Sequence, residues 1–173
     1  IDIGNVDYDG LINNPEIMRF EDAPSRARRK VKKDDTIVST VRTYLKAIAF
    51  IDKKDDNIIA STGFATLTSN GLVIPRYLYY AVSSLYFIEN VCANSTGVSY
   101  PAITSTKMGS LPIWFPKSIT EQASIVEFLD KQSEAIKSLI RNTTNQIKLL
   151  EEYRINLISN VVTGKIDVRG EVD

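Results

Sequence analysis

The sequence predicts an α+β protein: a mixed α/β domain over residues 1–117, one long coiled-coil helix over 118–163 and a tail over 164–173. The helix is predicted first by what is missing. No proline follows Pro116 and no glycine intervenes before Gly164, so nothing breaks a helix there. Within that span Ile125, Leu129, Ile136, Leu139, Ile147, Leu150, Leu157 and Val161 recur at steps of four and three, with Gln132, Thr143 and Arg154 at the remaining seam positions. That is the 3.5-residue stripe of a coiled coil. The mixed domain is predicted by short β-branched runs alternating with turn signals and one helical segment.

The elements follow in chain order. Residues 1–15 alternate apolar and polar around Asp9-Gly10, a hairpin signal. The run SRARRKVKK places six bases within residues 26–33 and reads as a basic loop closed by Asp34-Asp35. TIVSTVR is a strand pairing with AIAFI, residues 47–51, across a loop over 42–46. After a turn over 53–57, strands 58–60 and 63–67 are expected to pair with each other. Pro75 opens a helix over 75–91, with Leu78, Val82, Leu85 and Ile88 at helical spacing. A polar, flexible loop follows, then a short helix near 105–108 and a strand LPIWF. Ser118 or Thr120 caps the long helix, with Glu121 completing a capping-box pattern and Glu127 and Asp130 near the positive end of its dipole. Thr163-Gly164 stops it, Lys165 follows, and the tail reads as extended or disordered.

Charge is balanced overall, at 21 bases and 21 acids, but not along the chain. Residues 1–25 carry a net −5 (one base, six acids), and residues 26–54 a net +7 (ten bases, three acids). Such a segment can hold phosphate locally without making the whole chain sticky. The single cysteine, Cys92, excludes an internal disulfide and reads as a buried structural thiol. No metal site is expected, because there is no histidine and the pairs Asp34-Asp35 and Asp55-Asp56 read as solvated turns. Absence of histidine also excludes Ser-His-Asp and Cys-His chemistry. There is no Asp/Asn-Pro-Pro-aromatic motif, glycine-rich cofactor loop or Walker loop, so no catalytic residues are expected. No leader or long apolar run is seen, so a soluble cytoplasmic protein without a membrane partner is expected. Beginning at Ile1, the chain reads as a processed or partial piece.

Several blocks together carry a resemblance. They are RKVKKDDTIVSTVR, STGFATL, YLYYAVSS, STGVSYPAITSTKMGSLPIWFP, EQASIVEFLD and LISNVVTGKIDV. In this set the chain resembles half of the specificity subunit of type I restriction–modification enzymes: one target-recognition domain plus one conserved coiled-coil helix. Such a subunit has two of each, so a half-subunit, natural or truncated, is expected. The resemblance implies a DNA reader for one half of a bipartite target and a scaffold for methyltransferase and restriction subunits. It implies no catalytic role and no cofactor on this chain, with S-adenosylmethionine on the partner modification subunit. Implied partners are double-stranded DNA, the modification subunit and the restriction–translocase subunit, plus an antiparallel second copy or the missing second half.

The expected DNA contacts fall in three groups. The first is Arg26, Arg28, Arg29, Lys30, Lys32 and Lys33, suited to phosphates and, for arginine, to guanine edges. The second is Arg42, Thr43, Tyr44 and Lys46, and the third Ser95, Thr96, Gly97, Ser99, Tyr100 and Lys107. Ile125, Leu129, Ile136, Leu139, Ile147, Leu150, Leu157 and Val161 are the helix-pairing set, and residues 121–162 also suit docking of the modification subunit. A coiled-coil interaction protein whose head binds another protein would show the same helix. The +7 segment and the recognition-domain resemblance separate the two readings.

Overall fold

The computed structural model describes residues 1–55 and 57–170. Its strands are β1 (Ala27–Lys30), β2 (Thr36–Ser39), β3 (Ile48–Phe50), β4 (Ile59–Ser61) and β5 (Phe64–Leu67). Its helices are α1 (Pro75–Ser83), α2 (Leu85–Ala93), α3 (Ser105–Gly109) and α4 (Ile119–Val162), with 3₁₀ turns at Ile3–Asn5 and Thr43–Leu45. The chain divides into two units, Ile1–Val126 and Glu127–Asp173. The first unit, the head, takes in the opening turns of α4.

The head is built on β2, whose four residues are all buried. Successive strand side chains point to opposite faces, so a strand covered on both sides needs a continuous buried run, which TIVS supplies. Ile37 lies with Val6, Val31, Ala49, Ala60 and Phe64 on one face, and Val38 with Ile48, Ala65, Val82, Phe87 and Met108 on the other. Antiparallel pairing to β3 (Ile37 opposite Ala49) and β5 (Ile37 opposite Thr66) gives the sheet order β3-β2-β5.

Four expectations are corrected here. The strands at 58–60 and 63–67 do not pair: β4 joins β1 in a separate two-stranded sheet, and β5 joins β2. The Thr62-Gly63 connection lacks the positive φ that a two-residue primed turn requires. Instead the Thr62 N–H donates to Arg26 O at 2.7 Å. Half of the basic run is therefore strand, not loop. The helix over 75–91 is two helices, because Ser84 is extended (φ −66, ψ 147) and its Oγ accepts the Phe87 N–H as the cap of α2. LPIWF forms no strand. Pro112 and Pro116 remove ladder donors, Leu111 and Ile113 lean on the core, and Trp114 stays 75% exposed. The hairpin expected around Asp9-Gly10 is present as a single Val6–Ile12 bridge.

Helix α4 runs 44 residues, about 66 Å at 1.5 Å per residue. Ser118 Oγ accepts the Glu121 N–H at 3.3 Å to open it. Gly164 at φ 74 closes it, with the Gly164 N–H on Val161 O and the Lys165 N–H on Asn160 O. Ile136, Leu139, Ile147, Leu150 and Leu157 of the stripe are exposed, while Ile125, Leu129 and Val161 are half-buried. Towards the C-terminus Leu149, Tyr153, Ile155 and Ile158 are exposed too, so the apolar surface widens beyond the seam. Of the tail, residues 164–170 are described, with Arg169 paired to Asp167 at 2.7 Å. Among the described residues, no helix is long and apolar enough to cross a membrane.

Candidate nucleic-acid interface

Two of the three expected loops converge. Arg42 (φ 50) and Lys46 (φ 54) are left-handed residues flanking the 3₁₀ turn at Thr43–Leu45. Such a conformation costs a non-glycine residue about 1–2 kcal/mol and persists only where its surroundings over-determine it. Here the Arg42 N–H donates to Pro101 O at 2.8 Å, and Ala102 bridges both Val41 and Thr96. Beneath them runs a file of hydroxyls. Ser95 Oγ donates to Val91 O at 2.7 Å, leaving Thr43 Oγ1 to donate to Ser95 Oγ at 3.1 Å, with Cys92 Sγ 3.7 Å from Thr43 Oγ1.

That file corrects three expectations. Thr43 is buried at 5% exposure and Ser95 half-buried, so their hydroxyls tie the loops together rather than face outward. Cys92 is exposed, not buried, because α2 turns that position away from the core face carrying Phe87, Ile88 and Val91. What faces solvent is Arg42, Tyr44, Thr96, Gly97, Ser99 and Tyr100, with Lys46 half-buried beside them. The Arg42 guanidinium lies 4.7 Å over the Tyr100 ring, a cation–π contact that clasps the two loops. Gly97 is at φ 109, and a Cβ there would sit 3.0 Å from Tyr100 O, so the turn admits only glycine without strain.

The first group is not one patch. Strand β1 lies between Arg26 and Lys32, and its four residues alone span about 13 Å at 3.3 Å per residue. The Arg26 end joins the converged loops through backbone. Thr62-Gly63 links Arg26 to Thr40, and the Thr40 carbonyl accepts the Ile103 N–H at 2.9 Å. Lys32 and Lys33 sit at the far end, where the Asp34 N–H meets Ile51 O. Strand alternation turns Arg28 and Lys30 outward and half-buries Arg29. Arg28 is engaged internally. It donates to Pro24 O and Ala27 O at 3.1 and 2.8 Å and lies 4.7 Å over Phe20. The Arg29 Nε is buried without a hydrogen-bond partner among the described residues. Arg26, Lys30, Lys32, Lys33 and Lys107 are exposed. Lys107 lies on α3, whose cap Thr104 follows Ile103 of the same edge.

Asp35 also departs from the solvated turn expected of it. It is buried at 3%, its carboxylate accepting the Lys32 N–H at 2.9 Å and the Thr68 hydroxyl at 2.6 Å. Asp55 does sit in a turn, accepting the Asn57 N–H, and Asp56 lies outside the described residues. Among the described residues no group of three His, Cys, Asp or Glu could hold a metal.

Sequence reasoning missed Tyr8. It is 70% exposed, and Lys46 Nζ donates to its hydroxyl at 3.2 Å, 5.0 Å from the ring centre. Together they border an open cleft of about 460 Å³ that Tyr79 and Leu85 also line. Burial pushes the Tyr79 phenol above its ordinary value, with Arg76 pulling it back. The one available signal was the turn sequence Asp7-Tyr8-Asp9-Gly10, which presents an aromatic residue at a hairpin tip.

Laced loops bearing guanidinium, ammonium, hydroxyl and aromatic groups can pair with phosphates and meet base edges or faces. Residues 13–149 match the type I restriction modification DNA specificity domain. The chain belongs to that family. Within the type I specificity family it is 30% identical over 137 residues to the specificity subunit of the type I restriction enzyme HindI from Haemophilus influenzae, covering 76% of this chain and 30% of that one. The crystal structure of the HsdS subunit from Thermoanaerobacter tengcongensis is similar at TM-score 0.69 and 28% identity, over 99% of this chain and 43% of that chain. A chain solved for the complex assembly and conformational transition of the type I R-M system is similar at TM-score 0.71 and 26% identity, over 100% of this chain and 44% of that one. The chain thus spans less than half the length of these relatives.

Proposed function

We propose that this specificity-family chain reads one half of a bipartite DNA target and scaffolds the methyltransferase and restriction subunits of a cytoplasmic type I system, with no chemistry of its own. The observation that carries the reading is the fastening of loops 42–46 and 95–102 into one exposed face around the Arg42–Tyr100 contact. Arg42, Lys46, Lys107 and Arg26 place charge along that edge for phosphates. Arginine adds a fork that suits guanine, and Tyr44 and Tyr100 add rings for base or sugar contact. Lys32 and Lys33, at the far end of β1, serve the more distant backbone. S-adenosylmethionine belongs on the modification subunit in this scheme.

The exposed stripe of α4 supports pairing, either with a second copy running antiparallel or with a second half-subunit. Two identical readers related by a two-fold axis would recognise an interrupted palindrome. The charged flanks Glu127, Glu134, Lys137, Arg141 and Lys148 suit docking of the modification subunit. The test is retention on an immobilised duplex and co-purification with the modification subunit. The intact chain should elute from DNA only as salt is raised, and Arg42→Ala with Lys46→Ala should elute earlier while still carrying the subunit. Passage of the unsubstituted complex through the column at low salt would overturn the reading.

A further inference from the structure

Gln122 is fully buried, at 0% exposure, although it lies in the opening turns of a helix whose neighbouring residues Glu121 and Ala123 face solvent. Its side-chain amide is used completely as a donor. Nε2 donates to Leu72 O at 3.1 Å and to Pro116 O at 2.7 Å, while Oε1 accepts the Ile74 N–H at 2.8 Å. Two stretches are thereby joined to the first turns of α4: residues 72–74, which lead into α1 and include its cap Ile74, and Pro116 on the approach to α4. All of these partners are backbone groups, and the amide gives the Ile74 N–H an acceptor and the Leu72 and Pro116 carbonyls a donor.

We propose that Gln122 is a positioning residue, locking the first turns of α4 to the head and so fixing the spacing at which paired heads engage DNA. The spacing part rests on the DNA-reading role proposed above. Glutamine is the residue the geometry requires. A glutamate would accept from Ile74 but face two carbonyl oxygens with a charge. Methionine has the length but no donor, and asparagine is one methylene short of the three partners. An ordinary core residue would contribute bulk alone. Gln122 contributes direction, because its donors and acceptor engage residues 72–74 and Pro116 at the same time.

The test compares the full chain, purified with its modification subunit, against Gln122→Met, Gln122→Glu and Ile74→Pro. Ile74 has φ −60 and precedes Pro75, so proline there suits the backbone while removing the N–H that Oε1 accepts. Hydrogen exchange at the Ile74 amide reads the lock. Binding to duplexes whose half-sites, taken from the methylated motif, are moved apart one base pair at a time reads its consequence. Gln122→Met is expected to exchange Ile74 at least tenfold faster, hold a single half-site within twofold of the unsubstituted affinity, and lose at least fivefold in discrimination between spacings. Ile74→Pro should flatten the same spacing profile, which keeps the proposal testable if Gln122→Met fails to fold. Unchanged Ile74 protection in a folded Gln122→Met, or an unchanged spacing profile in either variant, overturns it. Failure of the unsubstituted complex to bind any duplex would sink the DNA-reading role instead, and the exchange rates alone would then decide the lock.

Discussion

Replacing Ile147 and Leu150 of α4 with serine should turn a dimer into monomers without touching the head. In the single chain these side chains are 53% and 65% exposed, so pairing has about half or more of their surface left to cover. Complete burial of such a residue is worth about 1.5–3 kcal/mol, so the remaining half is worth about 0.8–1.5 kcal/mol. Two positions in each of two chains then lose about 3–6 kcal/mol, or about two to four powers of ten in the dimer dissociation constant. Serine also lowers helix propensity slightly, which adds to the loss in the same direction. Sedimentation velocity from about 0.1 to 100 μM spans that change for a dimer of ordinary strength. The head's melting should not move, because residues 147 and 150 belong to the second unit. An unsubstituted chain sedimenting as a monomer throughout, or a double variant dimerising as before, would refute the reasoning.

Four further outcomes follow from the head. Arg26→Ala with Lys30→Ala should reduce the salt slope of DNA binding by about one to two, since each phosphate contact contributes about 0.9. Arg28→Ala should show first as a lower melting temperature, because its guanidinium holds the loop at Pro24 and Phe20. An equal slope in the Arg26 and Lys30 double variant and the parent would remove residues 26–30 from the interface. Thr43→Val keeps the shape of the buried residue but takes the donor away from Ser95, and should cost about 1–3 kcal/mol by denaturant unfolding. A smaller loss with unaltered DNA affinity would show that the hydroxyl file does not hold the loops. Cys92, exposed and next to Thr43, should react with a maleimide at least fivefold more slowly when a cognate duplex is bound. An unchanged rate would place the DNA elsewhere on the head.

The parts of the fold legible in the sequence were those whose signals are local. The long helix was readable because its stripe runs unbroken between Pro116 and Gly164, and both ends carry their own stop chemistry. β2 and β3 were readable because a strand buried on both faces must be continuously apolar or β-branched. The pairing of β4 and β5 was not readable. Alternation marks a strand but does not name its partner, and their partners β1 and β2 lie some thirty residues earlier. The break at Ser84 was hidden because the helical spacing of Leu78, Val82, Leu85 and Ile88 continues across it.

The same limit governs the site. Residue type indicated which loops carry groups able to meet nucleic acid. Only the three-dimensional arrangement shows that Thr43 and Arg28 spend those groups on the protein itself, while Arg42 and Tyr100 come together from positions 58 residues apart. Gln122 entered only as part of the EQASIVEFLD block, and a polar residue in a charged helical turn otherwise reads as surface.

The claim that this chain chooses the DNA site is tested most directly by mapping N6-methyladenine across a genome in cells carrying the chain with the proposed modification subunit. Arg42→Ala with Lys46→Ala is run beside it. The account predicts methylation at an interrupted, two-fold symmetric motif with the unsubstituted chain, and loss or relaxation of that motif in the variant. The same motif, methylated to the same extent in cells lacking the chain, would contradict it.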